Sequence, residues 1–129
     1  MVHITIRVNT ALSRIPLTLP VQFNRMRVVK ALLNNQNLGN ASSLILVRVG
    51  ELSQHRFNRV DDNDLAYTFM LPCPQNNTIA YDKGYDAWDF IEPSGDKKVI
   101  SILEIEVSDP GSNLSFAGGS FFVFELEFV

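Results

Sequence analysis

The stretch that decides the fold is Phe121-Phe122-Val123-Phe124-Glu125-Leu126-Glu127-Phe128-Val129. Every even-numbered residue in it is apolar, whereas both charged residues are odd-numbered. Successive side chains of a β-strand point to opposite faces of the sheet, so a period of two is typical of a strand with one buried face. The buried face is predicted to consist of Phe122, Phe124, Leu126 and Phe128. Phe121 is left on the charged face, where the sequence offers it no evident partner.

The same period of two recurs elsewhere in the chain. Residues 2–8 alternate Val and Ile with His, Thr and Arg, which predicts a half-buried strand. Residues 43–49 are almost continuously apolar, as is typical of a central strand buried on both faces. Residues 98–107 form the longest alternating run, and one of its faces is predicted to consist of Val99, Ser101, Leu103, Ile105 and Val107. Shorter strands are predicted at residues 65–71, 78–81 and 87–91, with a tight hairpin turn at Asp82-Lys83-Gly84.

Residues 25–33 allow two interpretations. Met, Lys, Ala and Leu favour a helix, but an Asn-rich loop signal begins at Asn34 and closes a short element. We therefore prefer a strand, with Met26, Val28 and Leu32 on one face.

Two other segments are harder to place in a sheet. Residues 15–20 alternate, yet Pro16 and Pro20 lack the backbone donor that a central strand needs. This segment is therefore expected at a sheet edge or in a connection. The polar stretch from Glu51 to Asp64 is predicted to be a surface loop.

The chain has the size and composition of one soluble globular domain. Its 129 residues are 46% hydrophobic and 19% charged, too apolar for disorder, and no apolar run approaches the roughly 20 residues of a membrane-spanning helix. Parallel strands would need crossover connections, usually helical, and the pattern offers none. We expect one domain over residues 1–129, an all-β, antiparallel eight-stranded β-sandwich or a closed barrel.

Charge is distributed unevenly along this chain of net charge −3. The basic residues Arg7, Arg14, Arg25, Arg27 and Lys30 lie in the first quarter, and the acidic residues Glu104, Glu106, Asp109, Glu125 and Glu127 lie in the last third. Either strands from the two ends pair and carry complementary charges, or opposite ends of the molecule meet between subunits. The acidic balance argues against nucleic acid as a partner, because binding it requires a basic face.

Residue types that carry catalysis or bind metals are few. Cys73 is the single cysteine, which excludes a disulfide within the chain and a multi-cysteine zinc site. A nucleophilic thiol would need a nearby histidine, and only His3 and His55 are available, so we expect an inert thiol. The acidic run at residues 61–64 lacks the spacing, the glycine and the distal glutamate of an EF-hand loop. We therefore expect no enzyme, no cofactor and no metal.

Aromatic residues are the remaining candidates for a contact surface. Trp88, Phe90 and Tyr85 lie near the predicted turn at Gly84 and could form a sugar-stacking platform or a subunit contact. In the alternative interpretation Trp88 and Phe90 share one strand face and pack in the core. Together with Phe121, these residues are the candidate interface or ligand contacts.

The chain resembles the single jelly-roll capsid proteins of icosahedral DNA viruses. The resemblance is carried by the prolines of residues 15–20, by the strand Tyr67-Thr68-Phe69-Met70-Leu71-Pro72 and by the aromatic strand at residues 121–128. The resemblance covers nearly the whole chain and rests on the order of the strands and on the types of residue within them. It implies a jelly-roll-like sandwich without cofactor or active site, which assembles as a homo-oligomer (trimer or pentamer) and docks onto other capsid proteins in the virion.

The chain departs from the larger capsid proteins of this type in two ways. It is shorter, and it lacks a long basic amino-terminal arm. Both features suit a minor or vertex component and argue against contact with the genome. No secretory signal is recognised at residues 1–8, so we expect assembly inside the host cell. The alternative function is a carbohydrate- or ligand-binding β-sandwich module.

Overall fold

The computed structural model describes residues 1–36, 43–50, 52, 55–58, 64–82, 90–93, 98–110, 116 and 119–129. Within these ranges the chain forms strands and no helix, and hence no helix that could cross a membrane. The strands are β1 (Val2–Val8), β2 (Leu12–Phe23), β3 (Met26–Asn35), β4 (Leu44–Val49), β5 (His55–Asn58), β6 (Asp64–Tyr67), β7 (Phe69–Pro72), β8 (Asn77–Tyr81), β9 (Lys98–Ser108) and β10 (Phe121–Phe128).

The strands pair in a nested order. β1 pairs with β10, β2 with β9, β3 with β8 and β4 with β7, always antiparallel, so the chain follows the path of one long hairpin. β5 and β6 pair with each other at the tip of this hairpin. Two further pairings, β10 with β3 and β9 with β4, complete sheet A (β1-β10-β3-β8) and sheet B (β2-β9-β4-β7).

The expected antiparallel sandwich is confirmed, with ten strands rather than eight. One extra strand, β5, forms within the segment predicted to be a surface loop, and it pairs with β6. The other difference lies at residues 65–71, predicted as one strand and divided here between β6 and β7. Thr68 separates them: its N–H donates to the carbonyl of Val47 at 2.7 Å, and its side chain is buried.

The hydrophobic core lies between the two sheets. The four even-numbered residues of β10 point inward as predicted and are buried. Phe124 meets Phe69 of sheet B edge to face at 5.6 Å between ring centroids, and Phe128 meets Phe23 in the same way at 4.9 Å. Such edge-to-face pairs add to the energy of burial itself. β10 therefore joins the two sheets, which explains why its pattern is the clearest in the sequence.

β3 is a strand, as preferred, but its faces differ from the prediction. Lys30 pairs with Glu125 and Val28 with Leu126, so Val29 is an extra residue in a β-bulge. A bulge shifts the alternation by one residue, and Ala31 and Leu33 consequently face the core. Leu32, expected beside Met26 and Val28, lies outside that core and is partly exposed.

The predictions for β2, for β4 and for the residues around and after β8 differ in outcome. β2 lies at the edge of sheet B, as its prolines require, and β4 lies inside that sheet with Leu46 buried on the outer face. The strand predicted at residues 78–81 is confirmed as part of β8, whereas Lys83 and Gly84 of the predicted turn and residues 87–89 of the next predicted strand lie outside the described residues. β8 and Ile91 both run antiparallel to β3 along the same edge, so they follow one another in line and do not pair.

Candidate functional site

The most irregular part of the described sandwich is the first half of β9. Leu103 is buried and Ile100 packs against the core, whereas the two residues between them, Ser101 and Ile102, are both exposed. Regular alternation would have turned one of them inward. The face predicted from Val99 to Val107 is therefore wrong in its first part: Val99 points to solvent with 61% of its surface exposed, and Ile102 has 56% exposed.

The irregularity comes from the neighbouring strand. Ile102 pairs with Pro16 and Ile100 with Val21, so four residues of β2, numbers 17–20, lie opposite Ser101 alone. Proline has no N–H to donate to β9, and Pro16 and Pro20 enclose this excursion. Leu17 turns toward the core, but Leu19 is left 75% exposed. Leu19, Val99 and Ile102 form an exposed apolar patch at one end of sheet B, which we call the sheet B patch.

A groove adjoins this patch. β4 ends at Val49 and is followed by Gly50, whose φ of +53° is a conformation that residues with side chains rarely adopt. The Gly50 N–H donates to the Glu104 carbonyl at 2.7 Å. In the described part of the chain, no strand pairs with residues 98–103 on this side of β9. The space left there is a groove of about 590 Å³, lined by Arg48, Leu52 and the patch residues Val99 and Ile102, with the buried rings of Phe23 and Phe128 among its lining.

Ion pairs border the patch on the outer face of sheet B. Arg14 pairs with Glu104 at 3.1 Å across β2 and β9, and Arg48 pairs with Glu106 across β4 and β9. An apolar centre within a polar rim is the usual anatomy of a protein interface. These ion pairs also explain the uneven distribution of charge along the sequence. Basic residues of early strands neutralise acidic residues of late strands within one chain.

The outer face of sheet A is more polar and its charges are also interleaved. His3 contacts Glu125 at 3.2 Å, and the Arg27 guanidinium donates to Glu127 through Nε and Nη2, each at 3.0 Å. Glu127 is 4% exposed, and Arg27 supplies the opposite charge that a buried carboxylate needs. The glutamates of β9 and β10 thus contact separate basic side chains.

The sequence candidates for a contact surface are divided between described and undescribed positions. Tyr85 and Trp88 lie outside the described residues. Phe90 packs beneath Arg25 and Arg27, whose guanidinium carbons lie 4.1 and 4.5 Å from its ring centroid. Phe121 does have a partner in the chain, contrary to expectation: the Arg7 guanidinium lies 4.4 Å from its ring centroid. A role of these four residues in binding stays a prediction.

Cys73 is enclosed between β3 and β8. Its Sγ lies 3.7 Å from the carbonyl oxygens of Leu33 and Asn77, and the residue is fully buried. Burial raises the pKa of the thiol above its ordinary value of 9.0, so the reactive thiolate is disfavoured at neutral pH. The histidines make other contacts: His3 bonds Glu125, and His55 stacks on Tyr67. The arrangement fits the inert thiol expected from the sequence.

The described residues include His, Cys, Asp and Glu, whose side chains are the usual ligands of metal ions. Among them, no three His, Cys, Asp or Glu side chains come close enough to hold a metal ion. Asp64, the described residue of the acidic run, pairs with Arg56 at 3.7 Å. The sheet B patch was not predicted from the sequence, because Leu19, Val99 and Ile102 lie within alternating runs that predict ordinary strands. The prolines at residues 16 and 20 were the available signal.

Comparisons with protein-family models, with curated proteins and with solved structures returned no match to this chain.

Proposed function

We propose that this chain is a structural protein that self-associates, a capsid component built on a jelly roll. The strand order supports the jelly roll. With β5 and β6 left out and the other strands renumbered, the sheets read 1-8-3-6 and 2-7-4-5, the order produced when one long hairpin rolls up into two Greek keys. Viral capsid domains, lectins and cupins share this topology, so the fold alone does not select the function.

The observation that carries the proposal is the sheet B patch. Leu19, Val99 and Ile102 all belong to the β2–β9 pair, and each has more than half of its surface exposed. Full burial of such a side chain contributes about 1.5–3 kcal/mol. A second subunit that covers the patch would gain this energy without breaking the bordering ion pairs, which suits assembly through subunit contacts in a virion.

The experiment measures molar mass by size-exclusion chromatography with light scattering over a wide concentration range. We expect the wild-type chain to form an oligomer, a trimer or pentamer or a larger assembly, and Ile102→Lys to lower its mass. Ala80→Lys is the matched control, because it adds the same charge at an exposed position on sheet A. A wild-type chain that stays monomeric at high concentration would contradict the proposal.

A carbohydrate- or ligand-binding module is the second candidate, favoured by the groove. Its volume of about 590 Å³ lies within the range of about 300–1,000 Å³ usual for small-molecule sites. Sugar binding, however, relies on exposed ring faces, and the rings of Phe23 and Phe128 in this groove are buried against each other. A glycan that raises the melting temperature of the wild type, but not of Ile102→Lys, would favour this candidate.

A further inference from the structure

β1 stands out among the edge strands of the sandwich. The edges of the two sheets are β1, β8, β2 and β7. Natural sheets protect their edges with proline, lysine, bulges or short strands. β2 contains Pro16 and Pro20, β7 is a four-residue strand that ends at Pro72, and β8 has only five residues. β1 has seven residues, in unbroken register with β10, and it contains no proline, lysine, bulge or inward-pointing charge.

We propose that β1 pairs with β1 of a second copy of this chain, antiparallel, about a two-fold axis at Thr5. The two copies of sheet A then form one continuous eight-stranded sheet. An edge strand presents N–H and C=O groups to its open side, and addition of a strand satisfies them. Within the described ranges, β10 is the only strand that pairs with β1, so this side of β1 is available. The inference specifies a partner and a contact for the self-association proposed above, and it rests on that proposal.

The alternation of β1 selects this register. With Thr5 opposite Thr5, Val2 of one copy lies opposite Val8 of the other, and Ile4 lies opposite Ile6. These pairs share the core-facing side, where Val2 is still 40% exposed in the single chain. A shift by one residue would place the core face of one copy on the solvent side of the other. A shift by two would leave two residues unpaired at each end of the contact.

Charge complementarity on the outer side favours a second copy as the occupant. Arg7 contacts the ring of Phe121, and no carboxylate pairs with it among the described side chains. Glu125 has only the imidazole of His3 as its ion-pair partner there. In the symmetric pairing, Arg7 lies opposite His3 of the other copy and thus beside its Glu125. The two-fold axis repeats this contact, so each copy supplies the cation that the other lacks.

The two proposed contacts differ in symmetry. A contact about a two-fold axis is closed and by itself ends at a dimer, whereas a shell needs more than one kind of contact. The β1 pairing and the sheet B patch lie on different sheets of the sandwich. Both can therefore be occupied in one assembly.

The first test is cross-linking of Thr5→Cys. Opposite Cβ atoms in an antiparallel pair lie about 4.5–5.5 Å apart, close enough for a disulfide after a small adjustment. Oxidised glutathione accepts the two electrons and the two protons as the bond forms. We expect a disulfide-linked dimer of Thr5→Cys on a non-reducing gel. Ala80→Cys, on the other edge of sheet A, should stay monomeric, and so should the wild type, whose Cys73 is buried.

The second test uses charge reversal at the same position. Thr5→Lys and Thr5→Glu each place like charges directly opposite one another at the axis, which destabilises a strand pair. We expect the dimer dissociation constant of each variant to rise about tenfold or more and an equal mixture of the two to recover wild-type affinity. Without the axis at Thr5, mixing would have no such effect.

The outcomes separate the two proposals. If Thr5→Cys cross-links while Ile102→Lys leaves the mass unchanged, the β1 pairing stands and the role of the sheet B patch is wrong. If Thr5→Cys does not cross-link more than Ala80→Cys, and charge reversal does not change an oligomer that Ile102→Lys dissociates, the β1 pairing is wrong and the patch stands. A strict monomer contradicts both.

Discussion

Replacing Thr68 with valine tests the side-chain hydrogen bonds at the point where one predicted strand is divided into β6 and β7. The Thr68 hydroxyl accepts a hydrogen bond from the Val49 N–H at 2.9 Å and donates one to the Leu52 carbonyl at 2.5 Å. Valine has nearly the same shape but no hydroxyl. Thr68→Val therefore leaves a buried N–H and a buried C=O without this partner. Each such loss is worth about 1–3 kcal/mol, so we expect the free energy of unfolding to fall by about 2–6 kcal/mol.

Thr68→Ser is the matched control, because serine keeps the hydroxyl and loses one methyl group, worth about 1 kcal/mol. Equilibrium unfolding in urea measures both variants. With a slope of about 1.5 kcal/mol per molar urea, a loss of 3 kcal/mol moves the midpoint of Thr68→Val by about 2 M. Equal midpoints for the two variants would refute the reasoning, since they would show that the hydroxyl does not hold the turn after β4 in place.

Three further predictions concern stability. Arg27→Met leaves the buried carboxylate of Glu127 without its cation and should lower the free energy of unfolding, measured in urea, by about 3 kcal/mol. The double variant Arg27→Met/Glu127→Gln should recover most of this loss. If the effects of the two substitutions were additive, the pairing would be contradicted. Because burial raises the pKa of Cys73, the contribution of the protonated thiol to the free energy of unfolding is complete below pH 9.0 and is lost as the pH rises, by up to about 1.4 kcal/mol per pH unit. Urea unfolding at several pH values should show this slope in the wild type and lose it in Cys73→Ala. An unchanged slope in Cys73→Ala would be evidence against this role of the thiol. Gly50→Ala should lower the free energy of unfolding by about 1 kcal/mol because φ is positive there, although no atom obstructs a Cβ at this position. Gly50→Asn should lower it less, and thermal unfolding of both variants measures the difference.

Much of the architecture could be predicted from the sequence because side-chain alternation is a local property. Residues 2–8 and 121–128 have one apolar face each, and these are the faces that the core buries. The distribution of charge allowed either pairing within the chain or contact between subunits, and Arg14–Glu104 and Arg27–Glu127 are pairs of the first kind. The antiparallel sandwich followed from short alternating runs without helical connections.

The candidate interaction surfaces could not be predicted in the same way. Each depends on a mismatch between two strands distant in sequence. The excursion of β2 opposite Ser101 exposes Ile102, and the end of β4 at Val49 opens the groove beside β9. The sequence of β9 alone predicts regular alternation, because nothing in it records the prolines of β2.

Sequence and tertiary structure thus determined different properties of this protein. The sequence by itself determined most of the strands and, in most of these, which face is apolar, because both depend on neighbours two residues away. Only the tertiary structure decided the bulge that turns Leu32 outward, the bend at Thr68 and the edge position of β1. Register and strand order are set by the summed packing of both partners in a pair, and no single segment contains that information.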